Sequence, residues 1–435
     1  MSVLLEQSVD EHKPNLERLV ARLFLVTLLV KLPGLSLFPA ISLVLALAFF
    51  PVVIRPIRAS RVTWFIAWTA IVAVVSGVFS SMIVTPTLGT PGDPITIAMM
   101  IAWIFSIPLT VGLGVWSAQR IGTVRSLRLV FFGALVSAIV IETPFGWKGS
   151  VGAFATLFAL SLFAHAPVAL TRLVLVGSAA LSALNDARFM SVIAIVVLLS
   201  TFSNTRFASW VKRAPFRAMV LIFGGFALVA WGAISAMQSG LLGEDIQYRT
   251  LRQMSGGRSL IEAGRTEWAA SLHLFSINPF GFGVGVQVNQ GVASDAVSAV
   301  KAAGGDSTAN YFRTWVFGQR VDLHSMTADL WYHFGIGGVL FAVACLVLLV
   351  VSVPRIFSSI RGAGAMGMFA VLTAVWDLIF SPMGNSDRLI AGLLAAAIFG
   401  ISAQRPSEWP EMHPPRKEQL SRGNQVLAAA RSRRS

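Results

Sequence analysis

The sequence predicts an all-α, polytopic membrane protein with about 12 transmembrane helices and one large extracytoplasmic loop, and three observations carry that expectation. Of the 435 residues, 55% are hydrophobic and only 12% charged, against about a quarter charged in a soluble domain. Apolar runs long enough to cross a hydrocarbon layer recur along the whole chain, and a helix satisfies its own backbone there. Basic residues collect in alternate connections between the runs, as the positive-inside rule requires.

In chain order the runs lie near 19–33, 36–54, 62–86, 94–116, 129–146, 151–170, 173–186, 188–204, 218–237, 325–353, 364–383 and 388–403. Lys31 and Pro33 shorten the first, and the seventh and eighth are also short. The segments 55–61, 120–128, 206–217 and 355–361 carry twelve Arg or Lys and no acid, and the tail 404–435 adds seven basic residues. All five fall on one side if the spans alternate, so both termini are expected in the cytoplasm. The domain plan is then a cytoplasmic segment 1–18, spans one to nine in 19–237, an extracytoplasmic loop 238–324, spans ten to twelve in 325–403, and the tail.

The surplus of 34 basic over 20 acidic residues is a topology signal, since it sits in short loops; a nucleic-acid partner is not expected. Arg431, Arg433 and Arg434 in the tail suit anionic lipid headgroups. The single cysteine, Cys345, excludes an internal disulfide. The first 20 residues are polar and lack a small-residue cleavage site, so no cleavable signal peptide is expected.

The long loop balances seven basic against seven acidic residues and keeps its aromatics, Trp268, Phe275, Phe280, Tyr311, Phe312 and Trp315. Loops of this length without function are uncommon. Residues 258–275 have helical period, with Leu260, Ile261, Trp268, Leu272 and Phe275 on one face and Arg258, Glu262, Arg265 and His273 on the other. Two readings stand: a helix on the membrane surface with a solvated polar side, or Arg265 turned into a cavity to bind an anion. INPFGFGVG follows, and Gly281, Gly283 and Gly285 permit close backbone approach to a ligand.

Arg188 stands in NDAR (185–188), an outward turn beside Asp186. Such a cation is either a snorkelling anchor or a phosphate ligand, because a guanidinium donates two parallel charge-assisted hydrogen bonds. His324 opens the most informative stretch, DLHSMTADLWYHFGIGG (322–338), where a polar loop re-enters an apolar run. A free imidazole titrates near ~6.5, so it suits a base taking a proton from a hydroxyl; a structural histidine bonded to backbone is the alternative. His333 reads as packing, and no Cys/His spacing suggests zinc. Asp377 lies inside AVLTAVWDLIF, either satisfied by a Ser, an indole or a neighbouring helix, or orienting a catalytic group.

Taken in order, the Arg at an outward turn, the loop with RTEW and NPFGFGVG, and His324 followed by HFGIGG resemble the O-antigen ligase and O-antigen polymerase superfamily. The motifs cover roughly residues 170–355. One departure is Ser325, where the family often has Asn. The resemblance implies a GT-C-type glycosyltransferase of the bacterial cytoplasmic membrane that needs neither nucleotide sugar, metal nor other cofactor. Its donor would be an undecaprenyl-diphosphate-linked glycan and its acceptor a glycan or glycolipid, with inversion at the anomeric carbon. Arg188 and Arg265 would hold the diphosphate and His324 would orient or deprotonate the acceptor hydroxyl, with Asp186, Arg258 and Asp377 as supporting positions. A flippase and a chain-length regulator are the partners such enzymes commonly have. Polymerisation of polysaccharide repeats is slightly preferred over ligation of a finished chain. A twelve-span secondary transporter is the reading from another class; the lack of visible half-to-half similarity weighs against it.

Overall fold

The computed structural model describes residues 17–31, 40–51, 54, 61–141, 146–203, 210–211, 213–241, 243–254, 267–303, 311–318 and 320–402. Each predicted apolar run holds a helix. These are α1 (17–27), α2 (Ala40–Ala48), α3 (Arg61–Leu88), α4 (Pro94–Ile121), α5 (Thr123–Ile141), α6 (Ser150–Leu162), α7 (Val168–Leu184), α8 (Arg188–Ser200) and α9 (Pro215–Gln238). The long connection then contributes α10 (Glu244–Gln253), α11 (Glu267–Ile277) and α12 (Gln290–Ala302). The chain ends in α13 (Met326–Phe357), α14 (Ala363–Phe380) and α15 (Ser386–Ser402). Among the described residues five helices, α3, α4, α5, α13 and α14, are long and apolar enough to cross a membrane, whereas α6, α7 and α8 are shorter apolar helices. A helix of 13 residues, such as α6 or α8, covers only about 20 Å of a ~30 Å hydrocarbon layer. The protein is therefore an all-α membrane protein.

The pairing of α3 with α13 organises the bundle. On α3, Ala70, Ala73, Gly77 and Ser80 are buried and repeat three or four residues apart, while Trp64, Phe65, Trp68, Val75, Phe79 and Met82 are exposed on other faces. In lipid, exposed apolar side chains carry no penalty, and small residues let two helix backbones approach closely. The approach is close enough that a Cβ on Gly77 would lie 2.7 Å from the His333 carbonyl, and one on Gly337 2.6 Å from that of Val72.

At one end of this pair, called here the loop end, the long connection is stitched to the bundle. The two-residue strand β1 (Gly89–Thr90) pairs antiparallel with β2 (Gln287–Val288), Gly89 opposite Val288. The segment before β2 runs down between α3, α4 and α13. α13 is broken at Gly335 (φ 58°, ψ −148°). The Tyr332 carbonyl just before the break accepts from the Phe282 and Gly283 N–H groups at 2.8 and 3.0 Å, and the Val284 N–H donates to the Gly77 carbonyl at 3.1 Å. Gly77 lies roughly 16 Å from the end of α3 at 1.5 Å per residue, comparable to half a hydrocarbon layer. Irregular backbone is tolerated at such depth only when buried in protein, and residues 281–286 are all buried.

This corrects one expectation. The glycines of GFGVG do allow close approach, but to the protein itself. A Cβ on Gly281 would meet the Trp331 carbonyl at 2.4 Å, on Gly283 the Ser81 nitrogen at 2.2 Å, and on Gly285 the Ile97 side chain at 2.4 Å. All three have positive φ.

On α11 the apolar face lies outward, as a face turned to lipid would: Leu272 is 69% and Phe275 50% exposed, whereas Glu267, Ala270, Ser271 and Leu274 are buried. The small side chains let α11 close on α12, with Ala270 and Leu274 in one cluster with Ala296, Val300, Phe312 and Trp331. Leu260 and Ile261 lie outside the described residues.

At the opposite end, three arginines, two of them in the basic segments, tie the helix ends together. Arg128 donates to the Ser161 carbonyl, Arg172 to that of Thr201 and Arg361 to that of Ser203. Cations there satisfy C-terminal carbonyls and suit the helix dipoles.

Candidate active site

His324 stands at the loop end, on the last non-helical step before α13. The residues on either side fix it. Ser325 is the N-cap of α13, its hydroxyl accepting from the Ala328 N–H at 3.4 Å. On the other side, Asp329 accepts the Leu323 N–H at 2.6 Å with one oxygen and the Met383 N–H at 3.1 Å with the other. One buried carboxylate therefore binds the turn before α13 to the connection between α14 and α15. Between these anchors His324 takes φ 54°, a left-handed conformation costing a non-glycine residue roughly 1–2 kcal/mol. Such strain at a residue suited to chemistry motivates a functional hypothesis.

The His324 side chain is 26% exposed. Its Nδ1 lies 3.3 Å from the Asp322 carbonyl and 3.5 Å from the Asp322 carboxylate. Its Nε2 lies 3.4 Å from the Tyr311 hydroxyl, which donates to Glu267 Oε1 at 2.6 Å. Arg320 reaches the other Asp322 oxygen at 3.7 Å. The structure therefore surrounds the predicted histidine with Asp322, Tyr311, Glu267 and Arg320, none of which the sequence singled out for a role in chemistry. Glu267 was visible as part of RTEW and Tyr311 as a loop aromatic, but 44 residues separate them, and no local period could pair them.

Arg188 is the first residue of α8. Its Nη2 is 3.5 Å from Asp186, which itself has φ 59°. Their side chains are 25% and 53% exposed, so the pair is accessible. Its neighbour Phe189 begins a run of rings toward the histidine. Phe189 stacks on Trp376 with centroids 5.1 Å apart, Trp376 meets Phe380 at 4.3 Å, and Phe380 stacks on Trp268 at 5.4 Å. Trp268 adjoins Glu267. The run of rings therefore joins the start of α8, at Arg188, to the start of α11, at Glu267. Arg258 and Arg265 lie outside the described residues.

Asp377 is paired through one oxygen, Oδ1, while Oδ2 is buried with no hydrogen-bond partner among the described residues. The Arg388 guanidinium donates to it at 2.8 Å and the Ser381 hydroxyl at 2.6 Å. Nearby, Lys31 reaches Asp387 at 3.3 Å and the Gly384 carbonyl at 3.1 Å. All four charged residues are buried. His333 is buried as well, with Nε2 2.9 Å from the Val321 carbonyl, a packing and anchoring role. Among the described residues no three His, Cys, Asp or Glu side chains group to hold a metal ion.

No family model matches the chain, and neither does any curated protein or solved structure.

Proposed function

We propose that the protein is a twelve-span, GT-C-type glycosyltransferase of the bacterial cytoplasmic membrane that polymerises polysaccharide repeats carried on undecaprenyl diphosphate. The observation that carries this reading is His324: a strained, partly exposed imidazole held between two anchored residues, with one ring nitrogen against Asp322 and the other toward Tyr311. The Asp322 carbonyl beside Nδ1 favours the tautomer whose proton is on Nδ1, which leaves the Nε2 lone pair to accept a hydroxyl proton. The run of rings from Phe189 to Trp268 supports the reading too, because sugar faces pack on aromatic rings and the run joins the start of α8, at Arg188, to the start of α11, at Glu267.

In this scheme the loop end faces away from the cytoplasm, because the basic segments lie at the other end. Arg188 and Arg265 bind the diphosphate and stabilise the charge that develops as it leaves. The acceptor hydroxyl, relieved of its proton by His324, attacks the anomeric carbon with inversion.

The test is complementation of a host lacking the gene with His324→Ala, Arg188→Ala and Arg265→Ala, after confirming membrane insertion of each. The expected result is accumulation of single lipid-linked repeats and loss of long chains on a glycolipid gel. Long chains retained on undecaprenyl diphosphate would instead identify a ligase. Normal glycans from three well-inserted variants would overturn the catalytic assignment and favour transport.

A further inference from the structure

Glu267 is a buried acid with capacity to spare. It is the first residue of α11 and only 6% exposed. Its Oε1 receives the Tyr311 hydroxyl at 2.6 Å, while Oε2 is buried without a hydrogen-bond partner among the described residues. A neutral Gln could accept the same tyrosine bond without burying a charge, so a structural duty alone does not explain the carboxylate. The far side of the Tyr311 oxygen faces His324 Nε2 at 3.4 Å. Three groups able to exchange protons therefore stand in line, from a quarter-exposed imidazole to a buried carboxylate.

Resting on the reading above, we infer that Glu267 is the terminal proton acceptor of the transfer, reached from His324 through the Tyr311 hydroxyl. The step balances as follows. The acceptor hydroxyl gives its proton to Nε2 as its oxygen forms the bond to the anomeric carbon. The bond from that carbon to the diphosphate oxygen breaks, and the electron pair leaves on the diphosphate. Nε2 then passes the proton to the Tyr311 oxygen while Tyr311 passes its own to Glu267 Oε1. His324 keeps its Nδ1 proton toward the Asp322 carbonyl throughout and returns to its starting form. Glu267 ends one proton richer and releases it to water between turnovers.

Glu267 acts through Tyr311 and is a positioning and relay residue, so its test separates rate from binding. The assay uses the purified full-length chain with undecaprenyl-diphosphate-linked glycan extracted from the host lacking the gene, and His324→Ala as reference. Glu267→Gln is expected to lower kcat about 100-fold with KM within about twofold. Tyr311→Phe should do the same, the double variant should be no worse than either single one, and Glu267→Asp should recover part of the rate. If His324→Ala is inactive while Glu267→Gln and Tyr311→Phe keep native kcat, the relay is overturned and the glycosyltransferase reading stands. Effects of the two variants that multiply also overturn the relay. A fully active His324→Ala removes both. Should Glu267→Gln fail to fold, the proton inventory of Tyr311→Phe decides. A curved inventory in the native protein that turns linear in the variant supports the wire, and one left unchanged refutes it.

Discussion

Two polar clusters stand at the loop end of this protein, and they are built on opposite terms. Around Asp377, two acids and two bases are buried together, paired as Arg388 with Asp377 and Lys31 with Asp387. Around His324, the groups are joined by longer contacts, the imidazole is a quarter exposed, and its backbone is strained. Buried charges persist when each is compensated, so the first cluster has the marks of a joint between helices. It links the end of α1, the start of α6, the end of α14 and the start of α15, since Arg388 also donates to the Gly149 carbonyl. The second cluster gives up local stability to keep an imidazole accessible. By sequence alone both would count as intramembrane charge; pairing and exposure tell them apart.

Breaking the first cluster is expected to have the largest effect on stability. Arg388→Ala leaves the Asp377 carboxylate buried without its cation and should cost roughly 3–5 kcal/mol. Thermal unfolding in detergent measures this, and Arg388→Met combined with Asp377→Leu should recover most of the loss, because apolar replacement of a whole pair is often neutral. A native melting temperature for Arg388→Ala would mean that the joint is not what holds these helices.

The segment between the clusters and α3 comes next. Gly283→Ala puts a methyl at a position with φ 106° and 2.2 Å from the Ser81 nitrogen, so a loss of roughly 3 kcal/mol is expected from strain and overpacking together. Limited proteolysis should show cleavage in the long connection sooner than in the native chain. Unchanged protection would mean that the buried segment tolerates displacement from α3.

The smallest stability effect, with the opposite sign, is expected at the histidine. His324→Gly relieves the left-handed strain and should leave the fold as stable as the native one or about 1 kcal/mol more so, while the transfer proposed above should be lost. A destabilised glycine variant would place His324 with the structural cluster and erase the contrast between the two.

Much of the architecture is legible because the chemistry is repetitive. Every apolar run became a helix, since a backbone in hydrocarbon must bond to itself. The span expected over 325–353 is α13, although its break at Gly335 was not foreseen. The NDAR turn is tight, closed by the Ala187 N–H donating to the Ser182 carbonyl at 2.8 Å. Other features were not legible. Periodicity marked Leu272 and Phe275 as one apolar face of α11, but not that the small residues Ala270 and Ser271 are the ones packed against protein. The glycines of GFGVG looked like a ligand cradle; they are where a buried strand-like segment squeezes between helices.

For His324, residue type and place at the head of a span were open to a reader of the sequence, because they depend on composition and on the boundary between polar and apolar chain. Which groups face it was not. Glu267, Tyr311 and Asp322 come from three separate stretches of the long connection, and Asp377 finds its cation on the next helix. Apolar burial follows a local average over many residues, which the chain itself carries. A hydrogen bond or ion pair requires two particular atoms within about 3 Å, and only the packing of distant segments decides that.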